Sequence, residues 1–194
     1  MSEYRAGHAD DLDFCLAEAF RLLGRGVADR RCAFHTPVLG TVGLDGAPAL
    51  RTVVLRGFAA ATRGLRVHTD RRSGKIGEIA RNPCVSLLFY DPGSRIQLRV
   101  GGAASVHFDD EAADAAWAAS QRQSRFCYAI TVAPGTRVEA PLPAPASDSG
   151  GRPNFAVVNV AFDRLEWLWL ASEGHRRALF TWQGDACAAS WLCP

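Results

Sequence analysis

The stretch FHTPVLGTVGLDGAPALRTVVLRG (Phe34–Gly57) decides the fold class. Two runs rich in Val, Leu and Thr flank Asp45-Gly46-Ala47-Pro48, and strand formers around a Gly/Pro turn are the mark of an antiparallel hairpin. The pattern predicts one strand over Phe34–Leu44 and a returning strand over Ala49–Gly57. Along the returning strand alternate side chains share a face, so Arg51, Val53 and Leu55 point one way and Thr52, Val54 and Arg56 the other. The two arginines are therefore expected in different surroundings.

Strand patterns continue downstream. Leu65–Thr69 reads as a short strand, Cys84–Tyr90 as a buried strand apolar at nearly every position, and Arg95–His107 as a long strand. Gly101-Gly102 within the long strand marks a bulge or a barrel corner. A loop rich in proline and glycine spans Thr131–Pro153, and short strands follow over Asn154–Phe162, Arg164–Ala171, Arg176–Trp182 and Ala186–Leu192. In the second of these, Trp167 and Trp169 share one face and suit packing in a barrel wall or a dimer seam. Helical spacing predicts a helix over Ala9–Asp29, with Leu12, Cys15, Leu16, Ala19, Phe20 and Leu23 on one face and Gly24 and Gly26 fraying or ending it. Two shorter helices are expected over Ser73–Ala80 and from a cap at Asp109 or Asp110 to about Ser120. Strands outnumber helices and are joined mostly by short turns, unlike a doubly wound fold. The expected class is mainly β (α+β), a closed or partly closed antiparallel barrel with peripheral helices, in one domain over residues 1–194.

Lys and Arg total 22 against 20 Asp and Glu, and a net charge of +2 is too small for a general polyanion binder, so nucleic acid is not expected. The six cysteines form no Cys-x-x-Cys pair and no zinc-spaced cluster with histidine, which fits a reduced, cytoplasmic setting without a metal site. Cys15 and Cys84 read as small core residues. His35, His68 and His107 read as polar or half-buried residues rather than ligands. The N-terminus carries no apolar leader and no run is long enough for a membrane span, so an unexported protein with no membrane association is expected.

One constellation suggests chemistry. Ser73-Gly74-Lys75 offers a hydroxyl, a permissive backbone and a cation at a helix start, where backbone N–H groups and the dipole favour an anion. Arg51 could add a bidentate fork. This is not a Walker loop, since Gly64 lies too far ahead of Lys75 and Ile76 takes the Ser/Thr place. Spacing alone leaves two readings open: an anion site, or a capped surface helix with solvated Arg71, Arg72 and Lys75.

Six motifs in order, Arg51–Phe58, Val67–Thr69, Ser73–Lys75, Asn82–Tyr90, Gln97–Gly102 and Asp185–Pro194, resemble the pyridoxamine 5′-phosphate oxidase family of FMN-binding split barrels. The resemblance implies a Greek-key split β-barrel and a homodimer with FMN sites built from both subunits. It also implies that Arg51, Ser73 and Lys75 hold the FMN phosphate, with Gly74 between them and His68 and Thr69 near the flavin or its ribityl chain. Thr52 lies in the same cofactor-binding segment, Val53, Val54 and Leu55 would present main-chain groups to the ring, Arg56 would stand near flavin and substrate, and Gln97 would reach the flavin.

The chain departs from the family at several places. Gly74 replaces an arginine, His68 a tyrosine and Leu168 a flavin-contacting tryptophan. The C-terminal Arg-x-His-x-Arg motif becomes Glu173-Gly-His175-Arg176-Arg177, and Ser120–Arg125 only loosely matches the helix that binds the substrate phosphate. The pattern is closer to the divergent pyridoxamine oxidase-related branch. The implied activity is an FMN-dependent oxidase or reductase on a small anionic substrate, with Arg56, His175, Arg176 and Arg177 as substrate-side candidates. Two alternatives are an FMN-sequestering protein without turnover and a split barrel that uses haem or a deazaflavin.

Overall fold

The computed structural model describes residues 8–194. Helix α1 (Leu12–Ala28) starts at Asp11, whose Oδ1 accepts from the N–H groups of Asp13 (2.8 Å) and Phe14 (3.2 Å), donors that a first turn otherwise leaves unpaired. Its buried face is Cys15, Ala19, Leu22 and Leu23. Gly24 and Gly26 do not end it. Gly26 instead lets Phe34 approach, since a Cβ there would lie 2.6 Å from the Phe34 carbonyl oxygen. Residues Ala33–His35 form a 3-10 turn rather than the expected strand start, and the Phe34 ring stacks on Phe89 at 5.6 Å.

Nine strands follow: β1 (Val38–Val42), β2 (Pro48–Thr52), β3 (Leu55–Ala59), β4 (Gly64–Asp70), β5 (Cys84–Asp91), β6 (Ile96–His107), β7 (Phe155–Trp169), β8 (Arg176–Gln183) and β9 (Ala186–Leu192). The helices α2 (Gly74–Arg81), α3 (Glu111–Ala119, capped by Asp110) and α4 (Arg122–Arg125) are peripheral. The strand order is β2-β1-β5-β6-β7-β4-β3, with β8 on β7 and β9 on β8, and every pairing is antiparallel. No helix among the described residues is long and apolar enough to cross a membrane.

The hairpin is present, in register from Val38↔Thr52 to Val42↔Pro48. The returning strand, however, is two strands. The Val53 N–H carries the β1 register one step further, donating to the Pro37 carbonyl at 2.9 Å, and from Leu55 onward the chain pairs with β4. Since β2 and β3 are opposite ends of the strand path, the link Val53-Val54 closes the sheet around its core. The alternation survives the change of partner, for Val53 and Leu55 are both buried.

The two strands expected over 154–171 are one continuous strand, β7, of 15 residues. One of its edges carries β4 along Phe155–Ala161 and β8 along Arg164–Trp169, which is where the barrel splits. Opposite, the register skips Asp163: Gly101 faces Arg164 and Gly102 faces Phe162, a β-bulge at the glycine pair. Gly102 admits no side chain, because a Cβ would sit 2.2 Å from the Ala161 carbonyl oxygen.

The core gathers Leu39, Leu55, Leu65, Val67, Leu87, Phe89, Leu98, Val100 and Trp167 against the buried face of α1. Strand β5 corrects its expectation of burial throughout: Val85, Leu87 and Phe89 are inside, whereas Cys84, Ser86, Leu88 and Tyr90 are exposed. Cys84 is therefore not a core residue. Cys15 is, and burial, with nearby Asp11, pushes its thiol up to about 12.

Candidate functional site

Strand β4, the turn after it and the start of α2 place Thr69, Ser73 and Lys75 together. The Lys75 ammonium donates to Thr69 Oγ1 (2.8 Å) and Ser73 Oγ (2.9 Å), and the two hydroxyls lie 3.3 Å apart. Ser73 holds the N-cap position, but its hydroxyl makes no cap bond and serves Lys75 instead. Among the described residues no carboxylate is in ion-pair contact with Lys75. Burial lowers the pKa of Lys75 and the neighbouring Arg51 charge lowers it further, only partly offset by Glu78 and Asp70. A half-buried ammonium bonded only to hydroxyls is a cation short of an anion.

Arg51 reaches the same place from β2. Its guanidinium pairs with Glu78 at 2.7 Å and also donates to Thr41 Oγ1, which itself donates to Glu78 at 2.5 Å. Burial would raise the Glu78 pKa, but hydrogen bonds from Thr41 and Arg51 outweigh it and hold the carboxyl below its usual range. The helix does lie at the surface, with Gly74, Gly77, Ala80 and Arg81 exposed, but Arg71, Arg72 and Lys75 are bonded within the protein rather than simply solvated. Arg71 pairs with Asp109 (3.1 Å) and lies over the Phe108 ring, while Arg72 bridges Asp70 (2.7 Å) and the carbonyls of Ile130 (2.9 Å) and Thr131 (3.0 Å). Gly74 is not demanded by crowding, as the nearest atom to a Cβ would be Glu78 Oε1 at 3.6 Å.

Thr69, Ser73 and Lys75 line a cavity of about 510 Å³. Its far wall is Tyr128 with Val132, Pro134, Val138 and Leu142, so the proline-rich loop covers this side. No helix or strand falls between Thr131 and Gly151. Sequence reasoning missed the short helix α4 and the 3-10 turn Phe126–Ala129 that lead into this wall.

Arg56 and His68 lie elsewhere. They line a second open cavity, about 560 Å³, with Arg30, Arg66 and the alanines of α3. Thr69 and His68 are adjacent on β4 and so face opposite ways. The remaining candidates are dispersed. Gln97, Leu168 and Arg177 form one row across β6, β7 and β8. His175 is exposed in the turn before β8, Arg176 pairs with Asp10, and neither cavity includes any of Gln97, His175, Arg176 or Arg177.

Glu166 was not anticipated as a site residue. Only 3% exposed, it pairs with Arg177 (2.6 Å), Arg164 (2.8 Å) and Arg99 (3.3 Å). A lone acid inside Leu165-Glu-Trp-Leu-Trp-Leu170 was the available signal. Burial would raise its pKa, but the bonds from Arg164 and Arg177 and the charge of Arg99 lower it on balance. A depressed carboxylate contributes stability that is present above its unfolded value of about 4.5 and is lost as pH falls through the folded value. Urea midpoints at pH 7 and pH 3.5 should therefore differ less in Glu166→Gln than in the parent protein. An equal acid loss in both would show that this cluster does not set the acid limb.

The family model described as "Pyridoxamine 5′-phosphate oxidase, FMN-binding domain" matches residues 20–108. A pyridoxine/pyridoxamine 5′-phosphate oxidase of Anaeromyxobacter dehalogenans is 33% identical over 171 residues, 80% of this chain and 83% of that one. The crystal structure of a pyridoxamine 5′-phosphate oxidase-related, FMN binding protein from Nostoc punctiforme superposes with a TM-score of 0.77 at 26% identity, covering 92% of this chain and 96% of that one. PhzG from Burkholderia lata, solved in complex with tetrahydrophenazine-1-carboxylic acid, shares the fold at a TM-score of 0.73 and 19% identity, covering 96% of each chain. With its antiparallel split barrel and these relatives, the chain belongs to the pyridoxamine 5′-phosphate oxidase family of FMN-binding proteins.

Proposed function

We propose that the protein is an FMN-dependent oxidoreductase acting on a small anionic substrate. The observation that carries this reading is Lys75, a half-buried ammonium with two hydroxyl partners and no acid, beside Arg51. Lys75 and the hydroxyls of Ser73 and Thr69 can all donate, the donor set that a phosphate monoester requires, while the nearby carboxylates Glu78 and Asp70 are engaged by Arg51 and Arg72. Lys75, Ser73 and Thr69 would hold the phosphate, with Arg51 fixed alongside by Glu78. The link Val53-Val54-Leu55, where β2 gives way to β3, would present main-chain groups to a planar ring, the Val53 N–H being taken by the Pro37 carbonyl, and Arg56 would stand at the ring's substrate side. FMN, when bound, supplies hydride acceptance, so the protein's tasks are orientation, exclusion of water and electrostatics.

A second copy of the chain fits this reading. The outer sheet face exposes Leu50 (71%), Leu88 (39%) and Tyr90 (44%) beside the row that contains Gln97 and Arg177. Covering that face with a second subunit would bury the apolar side chains and carry Gln97 and Arg177 to the other subunit's cofactor. Leu88→Asp should then shift the protein from dimer to monomer by light scattering and weaken FMN at the same time. A variant that stays dimeric and holds FMN normally would refute that interface. The free cysteines fit a reducing cytoplasmic setting.

One observation favours FMN sequestration without turnover: His175, Arg176 and Arg177 do not converge on Arg56 within the chain. Visible absorbance of the purified protein distinguishes flavin from haem or a deazaflavin. Anaerobic bleaching of that spectrum by a candidate substrate distinguishes an enzyme from a flavin store.

A further inference from the structure

At the end of β6 a serine, a histidine and an aspartate are bonded in series, outside both cavities. Ser105 and His107 are two residues apart on one face of the strand, and Asp110 caps α3. His107 Nδ1 lies 2.7 Å from Asp110 Oδ2, and its Nε2 lies 3.1 Å from Ser105 Oγ. Asp110 also accepts from the Ala113 N–H at 2.9 Å, and that bond, with the one from His107, holds its carboxyl below the usual carboxylate range. An ionised carboxylate only accepts. The imidazole proton therefore belongs on Nδ1, Nε2 offers a lone pair, and the Ser105 hydroxyl donates to it. Nucleophile, base and orienting acid stand in the order that acyl transfer to a serine uses. Ser105 and Asp110 are exposed and His107 is half-buried, so water has access.

The sheet beside Ser105 is built in rungs. Ser105 faces Asn159 of β7, which faces Arg66 of β4, and the next rung along is Ala103, Ala161 and Gly64. Both rungs line an open groove of about 850 Å³. Directly opposed side chains on neighbouring strands stand about 5 Å apart, so the Asn159 amide is beside the serine oxygen. Among the described residues that amide has no hydrogen-bond partner, which leaves its N–H groups free for a developing oxyanion. Arg66 lies across Gly57, where a Cβ would be 3.0 Å from its Nε, and closes the groove's far side. The rung of alanines and glycine leaves space next to the nucleophile for a compact acyl chain.

We propose that this groove hydrolyses small carboxylic esters, with Ser105 as nucleophile, His107 as general base, Asp110 as the residue that positions His107, and Asn159 as oxyanion donor. Ser105 Oγ bonds to the ester carbonyl carbon as its proton passes to His107 Nε2, and the carbonyl π pair moves onto oxygen beside Asn159. When that pair returns, the bond to the alkoxy oxygen breaks and the alcohol leaves with the proton from His107. Water then attacks the acyl-serine, again losing its proton to Nε2, and Ser105 regains that proton as the carboxylic acid departs. No oxidant or metal enters the balance. None of these residues belongs to the phosphate cluster at Lys75, so the two sites stand or fall separately.

The probes are p-nitrophenyl acetate and an alkyl fluorophosphonate, applied to the purified full chain. The parent protein should release p-nitrophenolate well beyond one equivalent per chain. The fluorophosphonate, which loses fluoride as the serine oxygen bonds to phosphorus, should stop that release and be found on Ser105 by peptide mass mapping. Ser105→Ala should abolish both release and labelling. Asp110→Asn keeps a capping oxygen for α3, so the helix should hold while kcat falls by about 10²-fold with KM unchanged. Asn159→Ala should lower kcat by a similar factor. Circular dichroism scores the folding of each variant. No turnover by the folded parent, a label on another residue, release that persists in Ser105→Ala, or an Asp110→Asn variant as fast as the parent overturns the proposal.

Discussion

Phe34→Ala is expected to cost the fold about 3–5 kcal/mol, the range for emptying a buried aromatic position. For a chain of this size that corresponds to a fall in melting temperature of roughly 6–20 °C. The ring is fully buried and stacked on Phe89, and its main chain is pressed against Gly26 of α1. It therefore joins the first helix to strand β5, and neither neighbour can move in to fill the gap without opening the other contact. Phe34→Leu, which retains much of the volume, should lose less than half as much. Thermal denaturation of both variants checks the pair, and equal small losses would show that the 3-10 turn is not a structural wedge.

Lys75→Met should have opposite effects on stability and on ligand. Removing a half-buried ammonium that lacks an acid partner relieves a desolvation cost, so the FMN-free protein should be at least as stable as the parent at neutral pH. The cost belongs to the charged form. It is present below the depressed folded pKa and disappears as pH rises through it, so the gain from Lys75→Met should shrink in alkali. FMN affinity should fall by about 1.5–3 kcal/mol, the range for hydrogen bonds to a charged group, or roughly 10- to 150-fold in Kd. Unchanged FMN affinity would remove Lys75 from the phosphate site. Reduced stability of the FMN-free protein would mean that the ammonium is structural.

The sequence made some of this visible because the signals were local. Asp45-Gly46-Ala47-Pro48 announces its turn whatever lies around it, and Thr69, Ser73 and Lys75 converge because strand, turn and helix start are contiguous in the chain. Partner changes were hidden for the same reason. Val53-Val54 is as good a strand former as the residues around it, so nothing in it shows that β2 has stopped pairing with β1 and β3 has begun pairing with β4. Asp163 looks like a turn residue between two strands, yet it is the extra residue of a bulge, which only the facing Gly101-Gly102 could reveal. Cys84 and Leu88 sit in an apolar run whose alternate members are exposed, and hydropathy does not separate a core face from an outer one. Likewise the separation of His68 from Thr69 follows from strand alternation, whereas the row Gln97, Leu168 and Arg177 depends on register between distant strands.

The link at Val53-Val54 has a mechanical consequence. A hoop fastened by a two-residue clasp has its girth set by the length of that clasp, not by the strength of any ladder across the seam. One added residue would lengthen it by about 3.3 Å, nearly the thickness of an aromatic ring. On the proposed flavin reading the clasp is also the stretch of backbone that would face the ring, which would tie the calibre of the barrel to the width of the slot.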